Sequence, residues 1–418
     1  MNGNHPETPG RQMPACNPLA WMEEELADLA RRVQERKLRQ SETARADEVE
    51  TAGAYTRRDG KLLMNLASNN YLGLAGDKRI HQAMIQALRG ARPSPAAGAG
   101  ASRLITGNYA AYTRLEQDIA AWKEREAALV YASGYMANTG TIAALVGRGD
   151  AVFSDRLNHA SIVDGIVLSR AGHYRYRHND TGHLRQLLER HQDARRKLII
   201  TDAVFSMDGD TAPLRELLRL RDEFGAMLMV DEAHSGGIYG RQGEGLCHAL
   251  GIHRQVDVLM GTFSKAFGVY GAYVCGSSTL IRYLTNKSRT LIYSTGLPPA
   301  VIAGIQEALN IVRTEGWRRT RVLEAARSLR SRLRAAGLDV GEGDSPILPV
   351  IAGSNATALA FGARLEEAGI LAGTIRPPTV PAGSARLRLS LTALHTEAQL
   401  DEACRQIIRN GRELGVIQ

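Results

Sequence analysis

The chain has 418 residues, 44% of them hydrophobic and 23% charged, and a formal net charge of +8. This composition is typical of a globular protein with two domains and a large core, and it excludes disorder of the whole chain. The charge does not indicate nucleic-acid binding, because the arginines alternate with acidic residues and no basic tail or aromatic-basic motif occurs. An excess of positive charge instead favours an acidic substrate or cofactor.

The cysteines and the apolar runs limit the cellular setting. The four cysteines are scattered and form no Cys-x-x-Cys pair, so we predict neither a zinc site nor a disulfide framework. No apolar run is long enough to span a bilayer, and the polar N-terminus is unlike a signal peptide. We therefore expect a soluble, cytoplasmic protein without a bound metal and without a membrane partner.

The first 60 residues differ in character from the rest. Residues 1–18 are polar and contain prolines, which predicts a flexible leader. A charged amphipathic helix is predicted from about 19 to 44, with Leu26, Leu29 and Val33 on its apolar stripe. We assign residues 19–60 to an N-terminal helical segment.

Strand and helix patterns alternate in a large domain predicted over 61–296. Short apolar runs predict strands at about 127–132, 151–154, 198–205, 227–231, 256–261 and 271–275. Helical patterns lie between them at about 110–124, 137–147, 160–171, 183–192 and 213–224. This α/β alternation predicts a mostly parallel sheet with helices on both faces and chemistry beyond the carboxyl ends of its strands.

The pattern changes near residue 297. Helices predicted at about 298–314, 318–336 and 396–413 surround a short mixed segment. We predict a smaller α+β domain over 297–418.

Lys265 follows the apolar run at 256–260 within a glycine-bounded loop, 261–268. Only seven of the 52 basic residues are lysines. A lone loop lysine is usually a surface residue. However, a second apolar run, at 227–230, ends in Asp231 and is closely followed by His234. A strand-end lysine and a strand-end aspartate indicate a pyridoxal phosphate site, in which the lysine holds the aldehyde and the aspartate keeps the ring nitrogen protonated.

Three further positions fit an anionic, planar cofactor. Ser133 and Gly134 form a tight turn before a predicted helix, a plausible seat for a phosphate. His159 begins another helix, and its ring could cap that helix or stack on the cofactor. Ser206 is similarly ambiguous, because the Asp-Gly-Asp sequence at 208–210 is a natural turn.

The segments 68–74, 204–210, 231–234 and 262–265 together resemble the α-oxoamine synthases, which are fold-type I pyridoxal phosphate enzymes. The resemblance runs from about residue 20 to the end of the chain. Segment 376–393 is the most specific part, and it is similar to the biotin-pathway branch of the family, which condenses L-alanine with a pimeloyl thioester of coenzyme A or acyl-carrier protein.

The resemblance implies a role for each site residue. Lys265 would hold the cofactor and remove the α-proton, Asp231 would pair with the ring nitrogen, His234 and Ser206 would lie by the ring hydroxyl, and His159 would stack on the ring. The implied phosphate ligands are Ser133, Gly134, Tyr135, Thr262 and Ser264, with Ser294 and Thr295 from the partner subunit of a homodimer. The implied substrate residues are Arg39 (with Arg36 as the alternative), Asn69, Arg376, Thr379 and Arg388.

Two alternatives to this activity stay open. Relatives that use glycine with acetyl-CoA share the motifs around Lys265, so only the segment beginning at Arg376 discriminates between the branches. That segment could also be a rigid proline turn alone. The alternative of a different class is a non-catalytic anion-binding or regulatory relative, which would have no need of a base beside an electron sink.

Overall fold

The computed structural model describes residues 17–45, 47, 49, 51–90 and 97–417. The helices are α1 Ala20–Arg31, α2 Lys78–Gly90, α3 Ala110–Trp122, α4 Gly134–Leu145, α5 Ala160–Ser169, α6 Thr181–Arg190, α7 Leu214–Phe224, α8 Leu246–Ala249, α9 Ser278–Lys287, α10 Arg289–Ile292, α11 Pro299–Thr314, α12 Gly316–Ala335, α13 Asn355–Glu367 and α14 Glu397–Glu413. The strands are β1 Ser41–Thr43, β2 Tyr55–Arg58, β3 Lys61–Leu66, β4 Ala127–Tyr131, β5 Ala151–Asp155, β6 Gly172–Tyr176, β7 Lys197–Asp202, β8 Met227–Asp231, β9 Val258–Thr262, β10 Ala272–Gly276, β11 Ile347–Gly353, β12 Ile370–Ile375 and β13 Ala385–Ser390.

A seven-stranded sheet has the order β4-β10-β9-β8-β7-β5-β6. The pairs from β6 to β9 are parallel, and β10 is antiparallel to both of its neighbours. The mostly parallel α/β sheet predicted from the alternation is therefore confirmed. Strand β6 was not predicted, because it is a half-buried edge strand with a polar sequence rather than an apolar run.

The sheet brings several motif residues to one edge. Strands β7 and β8 pair in a register that places Asp202 opposite Asp231, and both residues end their strands. Strand β9 ends at Thr262, three residues before Lys265. Parallel strands present their carboxyl ends at the same edge, so the predicted motifs converge there.

A six-stranded sheet has the order β1-β2-β3-β12-β13-β11. It joins the segment around residues 41–66 to the C-terminal part, since β3 lies parallel to β12. The boundary predicted at 60/61 therefore falls in the turn between the paired strands β2 and β3. The boundary at 296/297 stays a prediction.

The N-terminal helix is shorter than predicted. It ends at Arg31 rather than near residue 44, because Val33 adopts a left-handed φ of 58° and the Gln34 amide turns back to the Leu29 carbonyl. The predicted leader lies outside the described residues, except for residues 17 and 18. Within the described part of the chain, no helix combines the length and the apolar character needed to cross a membrane.

Candidate active site

A cavity of about 240 Å³ lies at the carboxyl ends of β8 and β9. The predicted residues that line it are Ser133, Gly134, Tyr135, His159, Asp231, His234, Thr262, Ser264 and Lys265. A larger cavity of about 460 Å³ lies at the opposite ends of these strands, beside Met227 and Val258, and none of the predicted site residues lines it. The chemistry therefore belongs to the smaller cavity.

Lys265 is the first member of a polar chain that leads out of this cavity. Its Nζ lies 2.7 Å from His234 Nε2, and His234 Nδ1 lies 2.8 Å from the Tyr71 hydroxyl. Burial lowers the pKa of Lys265 to about 8, against the opposing charges of Asp231 and Asp202. Burial, and then the charge of Lys265, lower the pKa of His234 well below its ordinary value. A neutral His234 can accept from Lys265 only if its own proton is on Nδ1.

Two carboxyl groups face the cavity from adjacent strands in different environments. Asp231 Oδ2 accepts from Asn138 Nδ2 at 2.8 Å, and its Oδ1 accepts from the Ala233 amide at 2.8 Å. Burial, and then the charge of Asp231, raise the pKa of Asp202 well above its ordinary value. The two donors satisfy the Asp231 carboxylate, whereas burial and the neighbouring carboxylate disfavour the charged form of Asp202.

The opposite wall of the cavity is rich in hydroxyl groups. The Ser133 side chain caps α4 by accepting from the Met136 amide. Thr262 Oγ1 lies 2.7 Å from Ser264 Oγ. A Cβ atom at Gly134 would lie only 3.2 Å from Met260 Cε, so the glycine leaves the helix N-terminus open to the cavity. Hydroxyls and a helix N-terminus together form a seat for a phosphate.

His159 and Tyr135 have partners within the chain. The backbone amide of His159 donates to Asp202 Oδ2 at 2.8 Å. Its Nδ1 accepts from the Ser161 amide, which confirms the helix-capping alternative, while its stacking on a ring stays a prediction. Burial lowers the pKa of His159, so its ring is neutral. The Tyr135 hydroxyl donates to Asp164 Oδ2.

Arg388 lies on β13, outside the cavity lining but joined to the same polar chain. Its Nη2 donates to Asn69 Oδ1 at 3.0 Å and to the Tyr71 hydroxyl at 3.3 Å. Its Nε donates to the Ser206 carbonyl. Only 6% of Arg388 is exposed, and no carboxylate of the described chain pairs with it. A buried guanidinium with this set of neutral partners can receive a substrate carboxylate.

The other predicted substrate residues lie away from the cavity lining. Arg39 pairs with Asp59 and Glu366, so its guanidinium already has two carboxylate partners. Arg376 donates to the Val33 carbonyl, and Arg36 donates to Thr379 Oγ1. The segment after α1 therefore contacts the loop that follows β12, which brings Arg36 rather than Arg39 to Thr379.

Ser294 and Thr295 also lie outside the cavity lining of their own chain. Thr295 forms a bridge with Ser102, and Ser294 Oγ lies 3.9 Å from Met136 Sδ. Their predicted role in a partner's site stays a prediction.

Four residues of the site were not predicted. Asn138, Ser161 and Asp202 line the cavity, and Tyr71 links His234 to Arg388. Asp202 could have been found by the rule that identified Asp231, because it ends the apolar part of a strand.

The model of the aminotransferase class I and II family matches residues 61–407. The chain belongs to this family. A relative from Geobacillus kaustophilus, named putative 8-amino-7-oxononanoate synthase, is 49% identical over 94% of this chain and 98% of its own length. A serine palmitoyltransferase variant from S. paucimobilis, with PLP and myriocin bound, superposes with a TM-score of 0.88 at 30% identity and covers 97% of this chain and 100% of its own.

A third comparison is with 8-amino-7-oxononanoate synthase from Francisella tularensis. It superposes with a TM-score of 0.72 at 27% identity and covers 84% of this chain and 98% of its own. Together the comparisons identify a fold-type I enzyme of the α-oxoamine synthase group, a PLP-dependent acyltransferase. The cavity fits the cofactor, since it offers an amine, a charged carboxylate and a hydroxyl-rich anion seat.

Proposed function

We propose that the chain condenses L-alanine with a pimeloyl thioester of coenzyme A or acyl-carrier protein, giving 8-amino-7-oxononanoate, CO₂ and free thiol. The observation that carries this proposal is the 49% identity, over 94% of the chain, to a relative named for that reaction. The cavity around Lys265 supports it, because it contains an amine with a lowered pKa beside two unlike carboxyl groups.

The residues of the cavity have distinct proposed roles toward the cofactor. Pyridoxal phosphate supplies an aldehyde that reacts with amines and a ring that accepts the electron pair left when an α-bond breaks. Asp231, charged and held by Asn138, keeps the proton on the ring nitrogen. His159 would contact the ring of the cofactor, and His234 with Ser206 would hold its hydroxyl. The phosphate ligands are Ser133, Gly134, Tyr135, Thr262 and Ser264.

Lys265 holds the cofactor and then acts as the base for the α-proton of the amino acid. A pKa of about 8 suits both tasks, since about a tenth of the amine is neutral at pH 7, far more than for an ordinary lysine. The His234 Nε2 atom, 2.7 Å away, orients Nζ.

Arg388 binds the amino-acid carboxylate, and the segment beginning at Arg376 recognises the far carboxylate of the pimeloyl chain. Asn69, which accepts from Arg388, would contact the far carboxylate together with Arg376. Thr379 lies in the same loop as Arg376, and Arg36 contacts this loop by donating to Thr379. The contact of Arg376 with the Val33 carbonyl would be exchanged for the substrate carboxylate, which is a stronger, charge-assisted partner.

A competition assay tests this proposal. Purified holoenzyme would receive L-alanine with pimeloyl-CoA, glycine with acetyl-CoA, or L-serine with palmitoyl-CoA, and free thiol and CO₂ would be followed. The third pair is included because the serine palmitoyltransferase variant superposes with a TM-score of 0.88. We expect the first pair to have the highest kcat/KM, whereas preference for either other pair contradicts the proposal. Cofactor binding without turnover of any pair would support the non-catalytic alternative.

Arg376→Ala is the narrower test of acyl recognition. It should raise KM for pimeloyl-CoA about tenfold or more and leave the KM for acetyl-CoA unchanged, since only the longer acyl group carries a second carboxylate. Arg39→Gln is the matched control, because Arg39 already pairs with Asp59 and Glu366. An equal loss with both thioesters would assign the segment a structural role.

We further propose that the enzyme is a cytoplasmic homodimer. The family resemblance supports sites completed by Ser294 and Thr295 of a second chain. Cys247, Cys275 and Cys404 are buried free thiols, as expected in a reducing compartment.

A further inference from the structure

A cluster of two histidines and one carboxylate lies apart from the cofactor cavity. Glu124 follows the end of α3, His248 lies on α8, and His253 precedes β9. One ligand atom from each residue lies within 4.8 Å of the other two. We propose that Glu124, His248 and His253 bind a divalent transition-metal ion, with Zn²⁺ as the best fit.

The distances within the cluster are those of long hydrogen bonds and also fit the spacing of ligands around a metal ion. His248 Nε2 lies 3.3 Å from Glu124 Oε1, and His253 Nε2 lies 3.3 Å from Glu124 Oε2. Charge-assisted hydrogen bonds are shorter, about 2.7–2.9 Å. Ligand atoms about 2.0–2.1 Å from a tetrahedral Zn²⁺ are about 3.3 Å from each other. Each Nε2 atom therefore lies near a different oxygen of Glu124 at a spacing similar to that of neighbouring zinc ligands, and a small side-chain shift would bring one oxygen to both.

The imidazole rings are arranged so that both Nε2 atoms face one carboxylate. The rings stack with centroids 4.3 Å apart and planes 30° from parallel. The Nδ1 atom of His248 lies 3.9 Å from Glu244 Oε2, and this carboxylate is itself held by the Gln242 amide at 2.8 Å. At 3.9 Å the Glu244 carboxylate is too far for a hydrogen bond to Nδ1, and it contributes only a negative charge beside the cluster.

The backbone of Glu124 supplies an independent observation. Its φ is +49°, a left-handed conformation that favours glycine at the end of a helix. A glutamate in this position is strained, yet the conformation directs its carboxylate to both histidines. Strained backbone is frequent where a side chain is held for binding.

Arg254 is the competitor for the same carboxylate. Its Nη2 lies 2.6 Å from Glu124 Oε2, and 72% of its side chain is exposed. An exposed ion pair of this kind contributes little stability and is readily exchanged for a metal ligand. With Arg254 displaced, two imidazoles, one carboxylate and water complete a four-coordinate site.

The ion would connect the end of α3 to α8 and to the segment before β9, so we assign it a structural role. The prediction that no metal binds rested only on the absence of a Cys-x-x-Cys pair. His248 and His253 are five residues apart, a spacing that zinc ligands also use, whereas Glu124 is brought to them only by the fold. The site is independent of which acyl thioester the enzyme uses.

The test uses untagged, cofactor-loaded protein treated with a chelator and then titrated with ZnCl₂ by calorimetry. We expect one strong site per chain, a rise in the unfolding temperature, and a visible Co²⁺ spectrum typical of four-coordinate nitrogen and oxygen ligands. Glu124→Gln and His248→Gln should each weaken binding at least tenfold and abolish the thermal shift. Arg254→Gln, the matched control, should bind at least as tightly as the wild type.

Three outcomes would overturn the proposal. The first is wild-type protein that binds no Zn²⁺ at 100 µM, and the second is Zn²⁺ affinity that Glu124→Gln and His248→Gln leave unchanged. The third is weaker binding in Arg254→Gln, which would mean that the guanidinium supports the site rather than competes for it. Both ligand variants lie at exposed or half-buried positions, and their circular dichroism spectra without metal verify that they fold.

Discussion

Two lysines near the same sheet, Lys123 and Lys265, illustrate how the partner decides what an amine can do. Lys123 is 1% exposed, and its Nζ contacts the Glu232 carboxylate and the Glu244 carbonyl. Burial is the largest single cause and disfavours its charged form, but the charge and hydrogen bond of Glu232, with Tyr273 and Cys275, together outweigh it and raise the pKa of Lys123. Lys265 instead contacts the neutral side chain of His234. Burial therefore outweighs the opposing charges and lowers the pKa of Lys265. Only Lys265 is available as a nucleophile and base.

The pKa of about 8 for Lys265 predicts how fast the cofactor-free protein takes up pyridoxal phosphate at different pH. The neutral amine reacts with the aldehyde, so the uptake rate should rise with pH through a midpoint near 8 and level off above it. Stopped-flow absorbance of the cofactor would measure this rate. Lys265→Ala should show no such phase, and a midpoint near 10.5, the ordinary value for lysine, would contradict the assignment.

At the scale of elements, apolar runs with a polar end predicted the strands that carry the site. Strands β8 and β9 end beside Asp231 and Lys265, where each apolar run stops. The run predicted at 198–205 continued beyond the end of β7, so Asp202 was not recognised as a strand-end carboxyl. Strand β1, with the sequence Ser-Glu-Thr, has no apolar pattern and is specified only by its pairing with β2.

The convergence of Arg388, Asn69 and Tyr71 could not be derived from periodicity. Arg388 lies 319 residues from Asn69 in sequence, and the contact exists because β3 and β13 both pair with β12. Sequence patterns predict local elements, whereas the order of strands within a sheet depends on packing across the whole chain. The role of Arg388 was therefore assigned from the family resemblance.

The loop after β9 provides a prediction about how the position of Lys265 is maintained. The Gly268 amide donates to the Lys265 carbonyl at 3.0 Å. Gly268 has a φ of +66°, and a Cβ atom there would lie 2.2 Å from the Ala75 backbone nitrogen. Gly268→Ala should therefore lower the free energy of unfolding by at least about 2 kcal/mol and weaken cofactor retention, because backbone strain and a clash add together. Urea unfolding and cofactor absorbance measure the two effects.

Gly60→Ala, in the turn between β2 and β3, is the control variant for Gly268→Ala. Its φ of +79° is equally left-handed, but nothing lies within 4 Å of the added Cβ atom. The free energy of unfolding of Gly60→Ala should fall by only about 1 kcal/mol, the cost of the left-handed backbone conformation, and the variant should retain the cofactor. Equal losses in the two variants would show that the contact with Ala75 contributes nothing.

At the scale of the whole molecule, the phosphate seat of one chain has only part of its predicted ligands. Ser133, Gly134, Thr262 and Ser264 line the cavity, whereas Ser294 and Thr295 lie outside it. If those two residues act on a phosphate, the cavity must belong to a second chain. A two-fold dimer provides this exchange in both directions, since each chain contributes the same surface to the other.

Mixed dimers test whether each site is shared between chains. One chain would carry Lys265→Ala and the other Ser294→Ala with Thr295→Val, so that each homodimer lacks a necessary group in both sites. In a mixed dimer, the chain with intact Lys265 receives intact Ser294 and Thr295 from its partner, which completes one of its two sites. After unfolding and refolding together, equal amounts should recover roughly one quarter of the wild-type rate, because half of the dimers are mixed and each has one complete site. Refolding each variant alone is the control. No recovery in the mixture, with dimers verified by sedimentation, would mean that Ser294 and Thr295 act within their own chain. Full activity of the Ser294→Ala, Thr295→Val variant refolded alone would mean that neither residue is needed.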